Sequence, residues 1–256
     1  MINRRKLLSL ALMSAAASTL PAQAAGKTLR IAAASDLQPV MPAFAAAYEK
    51  ETGIKLQVSF GSSSTLATQI INGAPMDVFL GADFSFPEKV VAAGLAEQRQ
   101  AVAYAQGTLV LWARKDSSIK PLTLDILTDP RVTRIAIADE FHAPYGFIAY
   151  AALRWLKLFD QVKPKLVVAE NVAQTAQFVQ SGNAQVGFIS LTLAKSAAMQ
   201  QSGEYILVPK IYPKLRQCGV TLKASPNAAE AKAFLAWLTS ANVQSHLREF
   251  GLEPVL

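Results

Sequence analysis

The 256-residue chain carries one cysteine, Cys218, and two histidines, His142 and His246. A lone cysteine closes no internal disulfide, so the fold has to rest on its hydrophobic core. Cys218, in the apolar stretch Cys218-Gly219-Val220, is expected to pack as a small buried hydrophobe. No block of five or more Lys or Arg occurs, and basic residues are not interleaved with aromatics. Both absences argue against nucleic acid or a membrane surface as a partner. No later stretch approaches the about 20 apolar residues that a permanent membrane span requires. Internal repeats, low-complexity tracts and long linkers are missing as well, so any division into lobes has to run through continuous structure.

What is present begins with a basic start, Arg4-Arg5-Lys6, an apolar run over residues 7–17, and the small-x-small triplet Ala22-Gln23-Ala24. This pattern predicts a secretory signal peptide over residues 1–24, cleaved near Ala24, and a periplasmic protein. No cysteine stands just after the cleavage site, as a lipoprotein would need. The Arg4-Arg5 pair fits a twin-arginine signal and an ordinary one alike, so the export route stays open. Without the signal, 22 basic side chains face 18 acidic ones, a formal charge of +4 instead of +7. That balance is a solvated mixed surface.

Short β-rich runs alternate with longer segments of helical period, the pattern of α/β architecture. Strands are expected at residues 29–34, 55–60, 78–81, 108–113, 135–138, 165–169, 186–189, 206–208 and 219–222. Helices are expected at 41–51, 64–72, 88–93, 145–158, 173–180, 193–200 and 228–239, each with apolar residues three or four apart. Trp112, Trp155 and Trp237 fall in apolar patterns and are expected in the core.

Open α/β sheets bind ligands at the carboxyl ends of their strands. Ser35 follows the first strand, and Phe60-Gly61-Ser62-Ser63-Ser64-Thr65 follows the second and runs into a helix. The later strands ending at Ala138 and Ala169 lead to Phe141-His142-Ala143-Pro144-Tyr145-Gly146 and to Glu170-Asn171-Val172, again before helices. Serine hydroxyls beside free helix N-terminal amides make an anion site. None of these turns contains Arg or Lys. A site built from neutral donors prefers an acceptor-only, fully deprotonated oxyanion; a protonated ligand such as monohydrogen phosphate needs an acceptor in the pocket too. Asp36 is the nearest acceptor, and the helix dipole predicts that it points away as a first-turn residue.

These residues carry a resemblance. Ala32-Ala33-Ala34-Ser35, Phe60-Gly61-Ser62-Ser63-Ser64-Thr65-Leu66 with Gln69-Ile70, Gly73-Ala74-Pro75-Met76-Asp77-Val78-Phe79, Ala82-Asp83, His142-Ala143-Pro144-Tyr145-Gly146 and Ala169-Glu170-Asn171-Val172 occur in one order over nearly the whole chain. In this the chain resembles the periplasmic molybdate-binding proteins of ABC transporters. The resemblance implies a type II-like, two-lobed binding protein, each lobe a mainly parallel sheet flanked by helices, with the cleft between them. It implies a first lobe of residues 25–105 plus 218–256 and a second of 106–217. It also implies oxyanion donors at Ser35, Ser63, Tyr145 and Val172, the last two through backbone amides. Relatives of one type add a tyrosine hydroxyl where this chain has Ser190, which leaves Ser190, a bridging water or no fifth donor. The ligand implied is molybdate or tungstate, with no cofactor, and the partner is a membrane permease with a cytoplasmic ATPase. The protein is expected to be a monomer and not an enzyme.

Two rival readings differ in the site. A receptor for sulfate or phosphate would place an ordered arginine or carboxylate in the cleft. A serine hydrolase would pair Ser63 or Ser35 with His142, but no Gly-x-Ser-x-Gly elbow occurs and the sequence assigns no supporting acid.

Overall fold

The structure, a computed structural model, describes residues 27–255. The expected signal peptide lies outside the described residues. The first half of the chain forms β1 (Thr28–Ala34), α1 (Met41–Thr52), β2 (Lys55–Gly61), α2 (Ser63–Ile71), β3 (Val78–Gly81), α3 (Ser85–Ala92), β4 (Val102–Gly107) and β5 (Leu109–Arg114). There follow β6 (Ile135–Ala138), α4 (Pro144–Trp155), α5 (Phe159–Val162), β7 (Leu166–Ala169), α6 (Val172–Gln180), β8 (Val186–Ser190), α7 (Leu191–Ala194), α8 (Ala197–Ser202) and β9 (Gly203–Leu207). The chain closes with β10 (Leu215–Thr221), α9 (Ala228–Leu238) and α10 (Ala241–His246).

The strands make two five-stranded sheets, ordered β2-β1-β3-β10-β4 and β7-β6-β8-β5-β9. Every residue of β3, β6 and β8 is buried, because helices cover both faces and a strand so placed must be apolar throughout. Each sheet has its own core: Ile31, Tyr48, Val78 and Phe234 anchor one, and Trp112, Ile137, Leu153 and Phe188 the other. Trp112 is fully buried as expected, but Trp155, at the last turn of α4, is 64 % exposed. Helical spacing put Trp155 on the apolar face of α4; the helix ends there, beyond the sheet it covers.

The expectation of mainly parallel sheets is corrected to mixed ones. β1 pairs with β2 and β3 in parallel, and β6 with β7 and β8, but β10 runs antiparallel to β3 and β4, and β5 antiparallel to β8 and β9. Each odd strand is the one that enters its sheet from the other lobe. The chain crosses between lobes beside the cleft, so β5 starts at Leu109 opposite Ser190, the carboxyl end of β8. It can then only run backwards along its neighbour, because a parallel entry needs a long crossover. β4 keeps residues as far as Gly107 in the first sheet and β10 rejoins it at Leu215, so Gln106, Gly107 and residues 215–217 belong with the first lobe, not the second. The alanine-rich sequence of β4 carries little β signal, and its pairing with β10, distant in sequence, makes it a strand.

Asp77, just before β3, ties the first lobe together. Fully buried, its carboxylate accepts from the Arg30 amide at 2.7 Å, the Arg30 guanidinium at 3.1 and 3.2 Å, and the Ser225 hydroxyl at 2.7 Å. These hydrogen bonds hold its pKa below the ordinary value in spite of burial. A depressed carboxylate stabilises the fold above about pH 4, and that contribution is lost as pH falls through its lower folded value. Asp77→Ala should therefore cost about 2–4 kcal/mol in urea unfolding at pH 7, a smaller difference below pH 3, the arginine being partly solvated. An equal cost at both pH values would sink this account.

Candidate anion-binding site

Five strand ends meet between the lobes: β1 leads to Ser35, β2 to Ser62 and Ser63, β3 to Ala82, β6 to Ala143-Pro144-Tyr145, and β7 to Asn171-Val172. Together with Asp36 and Gly61 these residues line one small cavity of about 10 Å³. Ser35, Ser63, Tyr145 and Val172, the four donors read from the sequence, are all brought to it, and all are buried. No Lys or Arg lines the cavity.

The helix ends explain which donors are on offer. In α2 the Ser62 side chain caps the Thr65 amide at 3.1 Å, and the Ser64 amide reaches across the cleft to the His142 carbonyl at 3.3 Å. Ser63 stands at the first helical position, and its hydroxyl accepts from the Ala82 amide at 3.0 Å. With that lone pair engaged, the hydroxyl proton is left to donate. In α6 the Asn171 carboxamide oxygen caps the Ala173 and Gln174 amides, both at 3.0 Å. The next amide toward the cavity is that of Val172, at the first helical position, which has no partner inside the helix. In α4 the first position is Pro144, which has no N–H, so Tyr145 supplies the leading amide. Gly146 permits this approach: a Cβ there would collide with the backbone carbonyls of Ala138 and Asp139 at the end of β6. Three helix N-termini thus point at one small space, each adding the positive end of its dipole.

Ser190 stands outside the cavity lining. Thr192 Oγ1 donates its only proton to the Asp36 carbonyl at 2.7 Å, so in the 2.7 Å Ser190–Thr192 contact the serine is the donor, while its oxygen accepts from the Leu193 amide at 3.2 Å. Its proton is committed, and it is not among the cavity residues.

Asp36 also departs from expectation. It does not turn to solvent; it is 1 % exposed and lines the cavity. Its Oδ2 accepts from Tyr145 at 3.3 Å and Gln217 at 2.5 Å, the first from the second lobe and the second from β10. Burial pushes its pKa up to about 7, against the opposing pull of the Gln217 and Tyr145 hydrogen bonds. The reading of Asp36 as a dipole-favoured surface residue failed because a short 3-10 turn over Ser35–Leu37, not an α-helix, follows β1 and keeps the side chain inside. Gln217 was missed altogether. Its one sequence signal is an amide among the apolar residues of β10, where a register shift between Gln217 and Cys218 re-aims the side chain.

His142 does find an acid: Asp139 Oδ1 accepts from its Nδ1 at 2.7 Å, and from the Phe141 and His142 amides. The pair is exposed, and the Ser63 hydroxyl is bonded to Ala82 instead. A larger groove of about 460 Å³ adjoins the cavity, sharing Ala143 and Pro144, but Phe84, Phe86, Phe141, Phe147 and Ile148 dominate its walls. A dianion would stay hydrated beside its Lys214 and Arg216; the ring of convergent donors belongs to the small cavity.

Residues 29–253 match the bacterial extracellular solute-binding protein family. The chain belongs to that family. This solute-binding protein is 34% identical to the molybdate-binding protein ModA of Rhodobacter capsulatus over 91% of its own length and 90% of that protein's. The solved periplasmic molybdate-binding protein of Azotobacter vinelandii superposes with a TM-score of 0.81 at 30% identity, covering 88% of this chain and 98% of that one. A more distant relative, 24% identical over 100% of this chain and 98% of its own, is an aconitate isomerase of a Pseudomonas species. Among the described residues no helix is long and apolar enough to cross a membrane.

Proposed function

We propose that this protein captures molybdate, or its larger analogue tungstate, in the periplasm and hands it to an ABC permease driven by a cytoplasmic ATPase. The observation that carries this reading is a small, cation-free cavity where serine hydroxyls of one lobe face helix N-terminal amides of the other. Ser35 and Ser63 donate through hydroxyls, Tyr145 and Val172 through amides. A ring of neutral donors suits an ion that only accepts, and its fixed radius selects by size, since it cannot contract onto the smaller sulfate. Asp36 fits such a site because its raised pKa leaves it largely neutral when the lobes are closed below about pH 7. Lobe closure over the ion is a hinge motion stabilised by bonds to both sides.

Calorimetry against molybdate, tungstate, sulfate and phosphate tests the assignment. Tight binding of the first two and at least about 100-fold weaker binding of the others is expected, roughly 2.7 kcal/mol of discrimination. Equal affinity for sulfate removes the size argument. We read the protein as a receptor and not an enzyme, since the Ser63 hydroxyl serves Ala82 and the Asp139–His142 pair stands exposed. Turnover of aconitate by the purified protein would reverse that reading.

A further inference from the structure

Four residues link the lobes beside the anion cavity through groups outside its donor set, Tyr145 by its hydroxyl and not its amide. Asp36 lies on the first lobe, Tyr145 and Thr192 on the second, and Gln217 on β10, the third residue of the returning strand. Tyr145 and Gln217 both donate to Asp36 Oδ2, and Gln217 Nε2 also lies 3.4 Å from the tyrosine oxygen. Thr192 donates to the Asp36 carbonyl, backed by Ser190. Gly107, at the other crossing, is cut to the same arrangement: a Cβ there would overlap the Tyr145 hydroxyl. The ring of Tyr145 is buried, so its hydroxyl tethers the residue whose amide faces the cavity.

We propose that Asp36, Tyr145 and Gln217 form a latch across the hinge, with Asp36 the positioning residue that seats the Tyr145 amide and loosens the closed state when its carboxyl ionises. The second oxygen, Oδ1, is buried with no partner, as is Gln217 Oε1. A charged carboxylate leaves that oxygen buried without a donor, whereas a neutral acid removes the buried charge and keeps Oδ2 as the double acceptor. The groups facing Asp36 supply no compensating cation. Tyr145 on α4 and Tyr104 on β4 are both raised well above the ordinary tyrosine value, by burial first and then by the Asp36 charge. Beyond Tyr104 lie Cys218 on β10, pushed up to about 11, and Asp83, also raised, both chiefly by burial. The flanking α6 and α7 contain no titratable residue, and the one on β2, Lys55, pairs with Thr28 at the far end of the strand.

The sign of the pH effect follows. Opening returns Asp36 to water and toward its ordinary value of 3.8, while closing raises it to about 7, so closing takes up a proton. The closed state is favoured at low pH, and its advantage is lost as pH rises through about 7. An adjacent dianion shifts the upper limit higher still.

The test reads lobe closure first without any anion, by energy transfer between dyes on Lys50→Cys and Lys163→Cys, one on each lobe, the native Cys218 being buried. The closing constant should fall by up to about tenfold per pH unit between pH 5 and 7 and level off above. Asp36→Asn, isosteric with the neutral acid, should abolish the slope. Tyr145→Phe and Gly107→Ala, checked for folding by thermal melt, should each lower closing at pH 6 several-fold. Molybdate titrations over the same range should weaken with rising pH in the native protein and not in Asp36→Asn. A flat native profile, or an Asp36→Asn variant that keeps the native slope, overturns the latch. This inference uses the anion reading only in the molybdate arm: if closure follows pH through Asp36 but no oxyanion binds, the latch stands and the proposed ligand falls.

Discussion

Ser63→Ala should raise the molybdate dissociation constant by about 10- to 150-fold, the loss expected when a hydrogen bond to a charged group, about 1.5–3 kcal/mol, is removed. The hydroxyl works in two directions. It accepts from the Ala82 amide, which fixes the side chain and aims its proton, so alanine removes a donor that is already oriented and costs nothing to place. The same change strands the Ala82 N–H in a buried setting, so the free protein should also lose about 1–3 kcal/mol in urea unfolding. Ser63→Thr distinguishes the two effects, since it restores the hydroxyl but adds a methyl group in a closed site. Calorimetry reads the affinity and chemical unfolding the stability. Unchanged affinity in Ser63→Ala with the stability loss present would make Ser63 a structural residue and remove it from the site.

Gly146→Ala should weaken binding by about 100-fold or more, through geometry and not through loss of a donor. The added Cβ would meet the backbone carbonyls of Ala138 and Asp139, and backbone atoms at the end of a buried strand cannot swing aside as a side chain can. The first turn of α4 has to withdraw from β6, carrying the Tyr145 amide with it. Amide hydrogen bonds weaken steeply once distance and angle leave the 2.7–3.2 Å range, so a shift on the order of 1 Å forfeits the bond. Overpacking of this kind costs about 1–3 kcal/mol, or a melting temperature lower by roughly 2–12 °C for a protein of this size. Affinity within twofold of the native protein would show that α4 does not set the anion position.

Much of this molecule was legible in advance, because the signals involved are local. Strand ends followed by Ser, Asn or Pro and then by helical periodicity mark helix N-termini wherever they occur, and backbone amides at such ends have no partner whatever the fold. Ser35, Ser63, Tyr145 and Val172 were accordingly found together in one cavity. The absence of Lys and Arg from those turns was equally plain. The apolar runs at residues 78–81, 135–138 and 186–189 could be read as buried strands, since only helix cover on both faces permits so few polar residues.

The tertiary structure decided what depends on direction and on distant partners. The sequence could not show that β5 and β10 run against their neighbours, because strand direction is set by where the chain crosses between lobes. It could not show that β4 is a strand, because its partner β10 lies about a hundred residues on. Asp36 is the sharpest case. Beside a helix-like start its carboxylate belonged in water, but Tyr145, 109 residues away, and Gln217, 181 residues away, close over it. Sequence alone placed neutral hydrogen-bond donors, and no Lys or Arg, at one set of strand ends. Only the packing of two lobes, which removes water and leaves an unpaired oxygen, made the charge of a single carboxyl part of how the cleft closes.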